Sequence, residues 1–262
     1  MKLSFGIKDA SVSELARRKP KIRTWGAESQ QPDAANVVIK MERSLVIIKP
    51  DGAVRRNIGA SVIKALLDRG YKVKAFKEMK VPEQLAKAHY AVHDGKPFFP
   101  WLVQFITSAR VIVLVLEGEG VIQGVRNALG ATFVQKAAPD SLRGRYGLWA
   151  GINIAHASDA PETATSEIQL WSQSGGIKES ADAEKQAREY VAKYMRGDKD
   201  YTADIRLLIE SAIKNHDTSD NVKRALEKAL SKDASGIGKD EIRALAEAIM
   251  VSIREEIGRS SK

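Results

Sequence analysis

Arg43-Ser-Leu-Val-Ile-Ile-Lys49-Pro-Asp-Gly52 is the stretch on which the fold turns. Residues 43–49 are rich in β-formers, and their continuous apolar run suits a strand buried on both faces. Pro50-Asp51-Gly52 stops that strand with a turn. Outward from there, Ile58, Val62, Ile63, Leu66 and Leu67 recur at helical spacing, and Gly70 closes the helix. Tyr71, Val73 and Ala75 alternate with Lys72 and Lys74, which predicts a strand over 71–81. Helices are expected over 82–90 and 98–107, an apolar strand over 111–116, a helix over 119–129, a long loop over 131–146 and a short strand over 147–153. Asp159 as N-cap, Pro161 near the start and Glu162 at capping-box spacing predict a helix over 161–171. The order β-α-β-α-α-β-α-loop-β-α fits an α/β (α+β) class, a ferredoxin-like βαββαβ split sheet with surrounding helices.

This domain, residues 41–172, has an extension on each side. Residues 1–40 read as a basic N-terminal extension and linker. A short amphipathic helix over 11–18 runs into Arg17, Arg18, Lys19, Lys21 and Arg23, and a polar linker follows over 26–36. The extension lacks the apolar core of a secretory signal, and Asp9 and Glu14 count against a transit peptide. A partner-binding arm is the favoured reading, with organelle targeting as the alternative. Ser172-Gln-Ser-Gly-Gly176 reads as a linker. Beyond it lie four apolar stripes at i, i+3, i+4 spacing: Ala183, Ala187, Tyr190, Val191, Tyr194; Ile205, Leu208, Ile209, Ala212, Ile213; Val222, Ala225, Leu226, Ala229, Leu230; and Ile242, Leu245, Ala246, Ile249, Ile253. They predict a C-terminal all-α bundle over 173–262, with a protein partner as one role for it.

Composition bounds the chemistry. Of 262 residues, 44% are hydrophobic and 29% charged, which excludes a mainly disordered chain and leaves ample apolar material for a core. No apolar run approaches the ~18–20 residues of a membrane-spanning helix. The absence of cysteine from the sequence excludes disulfide scaffolds, thiolate zinc sites, iron–sulfur clusters and thiol nucleophiles. It also fits a reducing compartment, so a cytoplasmic location is expected. The net charge of +9 is carried by residues 1–172, while 173–262 are balanced. That excess favours anionic partners: nucleotides, nucleic acid or acidic membranes.

Each candidate motif has a bland reading beside the chemical one. His89 and His93 lie four apart on a predicted helix, but no Glu follows His89 as H-E-x-x-H requires, so both read as helix-face histidines. His216, between Asn215 and Asp217, reads as a helix-end cap. Gly118-Glu-Gly120 sits between strand and helix, but Gly124 comes one residue too late for G-x-G-x-x-G. No Walker lysine pattern and no G-x-S-x-G occur. Residues 233–241 lack the twelfth-position Glu of a calcium loop and read as a helix–helix connection. His156 differs. It follows the expected strand over 147–153, where a sheet hands over to a helix and side chains project into a cleft. Glu167 on the next helix can reach back to orient its imidazole. Ser158 and Asp159 could do the same, although both are also good caps.

Five segments then stand in order: Met41-Glu-Arg-Ser-Leu-Val-Ile-Ile-Lys49-Pro-Asp-Gly52, His89-Tyr90 with Lys96-Pro-Phe98-Phe-Pro100, Leu116-Glu-Gly118, Gly130-Ala-Thr132, and Asn153-Ile-Ala-His156-Ala-Ser158-Asp159. Together they resemble nucleoside diphosphate kinase from about Met41 to Trp171, half the chain. The resemblance implies a ping-pong transfer of a γ-phosphoryl group through His156 to a nucleoside diphosphate, with Mg²⁺ carried by the nucleotide phosphates and no metal ligand on the protein. It implies that Lys49, Arg126 and Arg143 hold phosphates, that Thr132 and Asn153 contact phosphate and ribose, and that Phe98 stacks on the base with Leu102 beside it. Tyr90 would buttress the cleft, and Glu167 and Ser158 would orient the imidazole. A neutral imidazole with an unperturbed pKa of ~6.5 is a competent nucleophile near neutrality. The resemblance also implies a homo-oligomer. Departures from the family pattern sit at Phe133-Val134, Arg145 and Ile152, in the loop that family members use for subunit contacts. A scaffold subunit that uses the fold for docking is the alternative function, and nucleic acid bound by the arm is a further candidate partner.

Overall fold

The computed structural model describes residues 41–195 and 200–260. The basic extension, with its expected helix over 11–18, lies outside the described residues. β1 (Met41–Ile48) is central, as its apolar run requires. It pairs on one side with β3 (Arg110–Glu119) and on the other with β4 (Ala155–Ala157); β2 (Lys72–Lys80) adds to β3. All three pairings are antiparallel, in the order β2-β3-β1-β4. This is the split sheet expected from the element order.

Period-two alternation divides the central strands between two cores. Val46 and Ile48 pack with Ile112, Leu114, Ala155 and Ala157 on one face. Leu45 and Ile47 pack with Val111, Val113 and Trp171 on the other. α2 (Arg56–Leu67) and α5 (Val121–Leu129) bury Val62, Ile63, Leu66, Val121 and Val125 in the first core. α3 (Glu83–His89), α4 (Phe99–Ser108) and α7 (Pro161–Gly175) contribute Leu85, Val103 and Trp171 to the second. Leu45, Val46, Ile47 and Ile48 are fully buried, each contributing about 1.5–3 kcal/mol of apolar transfer.

Four local expectations are corrected. The fourth strand is not 147–153 but Ala155–Ala157. Residues 147–153 instead reverse direction through a single Trp149–Ile152 bridge, with Ala150 at φ 45 and Ile154 at φ 67. Their apolar side chains reflect burial of Leu148 and Ile152 rather than sheet pairing. His156 therefore lies within a strand rather than after one. The expected loop over 131–146 contains a short helix, α6 (Leu142–Tyr146), N-capped by Ser141, whose hydroxyl accepts from Gly144 N at 3.1 Å. The N-cap of α7 is Ala160, not Asp159; Thr163 Oγ1, rather than Glu162, accepts from Ala160 N at 2.9 Å. Finally, 172–175 are helical, and α7 stops at Gly176, whose φ of 63 needs glycine.

The predicted stripes of the C-terminal region all form helices: α8 (Ala183–Tyr194), α9 (Thr202–Lys214), α10 (Asp220–Ser231) and α11 (Lys239–Ser260). They do not pair only with one another. α8 places Ala183, Ala187 and Tyr190 in the core that holds Val46 and Leu114. Ahead of it, Ser180 N donates to Lys74 O at 3.0 Å, along β2, the strand at one edge of the sheet. α9, α10 and α11 build a third core with Trp101 and Phe105 of α4 and Val54 of α1 (Pro50–Val54). Trp101 Nε1 donates to Ala248 O at 3.0 Å. Arg110 ties β3 to α11 through Glu241, donating from its backbone N and Nε to Oε2 at 2.9 and 3.0 Å and from Nη2 to Oε1 at 2.7 Å.

Candidate active site

His156 is placed by register. It sits opposite Ile47, and alternation turns its ring to the face away from Ala155 and Ala157. Its Nε2 meets Glu167 Oε1 at 2.8 Å from α7. A carboxylate only accepts, so the proton of this hydrogen bond belongs to Nε2, and Nδ1 is left with its lone pair. The other carboxylate oxygen accepts from Ser158 Oγ at 2.6 Å, and that hydroxyl accepts from Leu45 N at 3.0 Å. The ring is thus oriented by a carboxylate that is itself held by β1.

Lys49 continues the alternation of Leu45 and Ile47. Its side chain is buried, and Nζ donates to Asn153 Oδ1 at 2.9 Å. Burial, reinforced by the Arg143 charge, pushes the ammonium down to about 8; Asp51 opposes the shift. Asn153 is locked at both ends, since its Nδ2 donates to Thr132 O at 2.6 Å. Arg143 donates from Nη1 to Gly130 O and from Nη2 to Ala155 O, both at 2.8 Å, and its buried Nε lacks a partner among the described residues. Burial, with Arg126 nearby, lowers the guanidinium to about 10. Asp51 is fully buried. Its Oδ2 accepts from Ile154 N at 2.9 Å, and its Oδ1 has no partner among the described residues. Burial raises its carboxyl, against the pull of Arg55 and Lys49. Ile154 is β-branched at φ 67, a conformation that costs about 1–3 kcal/mol and persists only where neighbours enforce it. Here Asp51 holds its N–H and Lys49 N donates to its carbonyl at 2.8 Å. The Pro50-Asp51-Gly52 turn permits this approach: a Cβ on Gly52 would meet Ile154 O at 3.1 Å and Ile48 Cγ2 at 2.8 Å.

His89 is not a simple helix-face residue. Its ring lies edge-on to His156, with centroids 4.6 Å apart, and its Nδ1 accepts from Trp171 Nε1 at 3.3 Å. Burial, then the His156 and Lys49 charges, holds its pKa well below the ordinary value. One ligand atom each from His89, His156 and Glu167 fall within 4.8 Å of one another. This cluster works as a hydrogen-bond network: Glu167 is engaged through both oxygens, and the Trp171 donor occupies the His89 Nδ1 lone pair.

The remaining expected residues separate into two groups. Tyr90 is buried beside His89, and its hydroxyl has no partner among the described residues. Phe98 caps α4, 43% exposed, with His93 edge-on at 5.5 Å. Leu102 is partly buried between two cores. Arg126 is exposed on α5, close enough for its charge to act on Arg143 and Asp159. Thr132 reaches this network through its backbone carbonyl, with its side chain exposed. Sequence reasoning gave Asp51 and Arg55 no part in the site and read His89 as a helix-face residue. Buried charge at Asp51 and Arg55, beside a Pro-Asp-Gly turn, is the signal that could have marked two of them.

A model of the nucleoside diphosphate kinase family matches residues 42–177. The nucleoside diphosphate kinase of Synechococcus sp. (strain JA-3-3Ab) is 47% identical over 133 residues, 51% of this chain and 89% of that protein. The one from Roseiflexus castenholzii is 47% identical over 131 residues, 50% of this chain and 87% of that protein. Among solved structures, a halophilic nucleoside diphosphate kinase from Halobacterium salinarum in complex with CDP is 38% identical, with a TM-score of 0.50, over 56% of this chain and 99% of that one.

Proposed function

The chain belongs to the nucleoside diphosphate kinase family, a phosphotransferase, and we propose that His156 is the side chain that carries the phosphoryl group. One observation carries the assignment. His156 Nε2 is engaged by Glu167 at 2.8 Å, which leaves Nδ1 as the free nucleophilic nitrogen on the face that Lys49 shares. In the first half-reaction the Nδ1 lone pair forms a bond to the γ-phosphorus as the bond to the bridging oxygen breaks, and the nucleoside diphosphate leaves with that electron pair. Glu167 offsets the positive charge that develops on the ring. A second nucleoside diphosphate then attacks the same phosphorus and restores the imidazole.

Lys49, Arg143 and Arg126 hold the phosphates. Phosphoryl transfer needs positioning and charge neutralisation more than covalent participation, and a partly dehydrated cation serves both. Enzymes of the family use a divalent cation. Here the triphosphate enters as its Mg²⁺ complex, and the ion is part of the substrate. Phe98 stacks on the base, with Leu102 behind it, and stacking tolerates any base. Asn153 acts by fixing Lys49 to the Thr132 carbonyl, and the buried Tyr90 buttresses the cleft. A scaffold role is not favoured, because it gives no reason to bury Lys49 and Arg143 beside a histidine. Among the described residues no helix is long and apolar enough to cross a membrane.

The test is phosphoenzyme formation. With Mg²⁺ and γ-labelled ATP, the parent chain acquires an acid-labile, alkali-stable label that added GDP discharges, and His156→Ala acquires none. A discharged label of the same chemistry on folded His156→Ala would refute the assignment.

A further inference from the structure

The helices beyond Gly176 take no part in those chemical steps, yet one of them grips the segment that carries Arg143. α6 is five residues long, and its last carbonyls lack helical partners. Two arginines from distant elements supply the donors. Arg206, half-buried on α9, donates from Nε to Gly147 O at 2.7 Å and from Nη2 to Gly144 O at 2.8 Å, with Arg143 O at 3.5 Å. Arg55 donates from Nη2 to Tyr146 O at 2.6 Å. Its Nη1 donates to Thr202 Oγ1 at 2.8 Å, in the first turn of α9, and its Nε to Asp51 O at 2.7 Å. A guanidinium presents several donors in a fixed plane, so each arginine fixes direction as well as distance.

We propose that Arg206 is a positioning residue for phosphoryl transfer: by capping the carbonyl end of α6 it sets where the Arg143 guanidinium lies in the phosphate site. The C-terminal helices are then part of the catalytic scaffold. The backbone around Arg143 is held by Arg206 from one side, and the Arg143 side chain reaches Gly130 O and Ala155 O on the other. Ala155 is the neighbour of His156. A shift of α6 therefore moves a cation relative to the nucleophile, and displacements near 1 Å cost catalysis heavily. The proposal rests on the reading that Arg143 holds phosphate.

The experiment is a double-mutant cycle in the full chain, with Arg206→Ala, Arg206→Lys, Arg143→Ala and the Arg143→Ala/Arg206→Ala pair. Kinetics, phosphoenzyme formation and thermal melting are measured for each. Folded Arg206→Ala should raise KM for the nucleoside diphosphate and lower kcat/KM about ten- to a hundred-fold. Arg206→Lys, which keeps the charge but not the planar fork, should recover part of that loss. In the Arg143→Ala background, Arg206→Ala should add no more than about two-fold. The full penalty persisting in that background, or unchanged kinetics in a folded Arg206→Ala, overturns the proposal. If Arg206→Ala does not fold, the same cycle with Arg206→Lys decides it by the same criterion. Wild-type kinetics in Arg143→Ala would instead overturn the phosphate-site reading of Arg143, a result separate from any outcome at Arg206.

Discussion

If Lys49 holds phosphate as proposed, phosphoryl transfer should fail in alkali for a reason that starts with burial. Its ammonium is pushed down to about 8, chiefly because the protein excludes water from it. In the free enzyme at about pH 9, roughly one molecule in ten keeps the charge, so kcat/KM should fall about ten-fold per pH unit above 8. A bound polyphosphate favours the charged ammonium, so the limb in kcat should lie at higher pH than the limb in kcat/KM. Stability responds in the opposite sense. Below about pH 8 folded and unfolded chains are both protonated, and the folded state bears the whole cost of the buried charge, about 3 kcal/mol. Between about 8 and the ordinary lysine value the unfolded state binds the extra proton, so this group's contribution rises with pH. The assay is initial-rate transfer from ATP to CDP, whose bases carry no acidic ring N–H, across the neutral and alkaline range. Lys49→Arg stays charged throughout and should lose the limb near 8, even if its rate is lower. A parent profile that is flat to about pH 9.5, or the same limb in Lys49→Arg, would refute the desolvation argument.

Three further outcomes follow from the geometry. Glu167→Gln keeps a hydrogen-bond acceptor for His156 but removes the charge, so phosphoenzyme formation in rapid-quench measurements should slow about a hundred-fold with little change in thermal midpoint; an unchanged rate would remove Glu167 from the mechanism. Gly144→Ala places a Cβ 1.9 Å from the Ala138 carbonyl oxygen, which is backbone and cannot rotate away. It should cost about 1–3 kcal/mol in a melting experiment and raise KM through Arg143, whereas Gly258→Ala at an exposed position near the end of α11, where a Cβ meets nothing, should gain up to about 1 kcal/mol.

What could be read from the chain depended on the length of the signal. β1 was legible because four consecutive apolar residues at 45–48 leave no solvent face, and the C-terminal helices because each stripe repeats over three turns. The pairing of His156 with Glu167 was legible because strand and helix are adjacent in sequence. β4 was not: three residues, Ala-His-Ala, carry no usable period, while the apolar 147–153 segment looks like a strand until Ala150 and Ile154 adopt positive φ. α6 is too short for a helical pattern. The end of α7 reads as a linker by composition, yet Gly175 packs where a Cβ would lie 3.1 Å from Leu85 Cδ2. Spacing reports only the helix face that His89 occupies, whereas its place beside His156 is a fact of tertiary packing.

The costly features of the site form one connected structure. Lys49 is a buried cation, Asp51 a buried carboxyl with one oxygen unpartnered among the described residues, and Ile154 a β-branched residue at positive φ. Each costs of order 1–3 kcal/mol if left to itself. None is left to itself. Ile154 donates to Asp51, the Asp51 carbonyl accepts from Arg55, and Arg55 donates onward to Thr202 at the start of α9. That chain of hydrogen bonds runs from the residue two positions before His156 to a helix outside the family's matched segment. α9 is anchored in turn: Ile205, Ile209 and Ala212 are buried in the core that contains Trp101 and Phe105 of α4. Burial on that scale supplies stabilisation that the strained turn and the dehydrated charges consume. On the proposed mechanism, the C-terminal helices would bear on the chemistry through the backbone they hold in place.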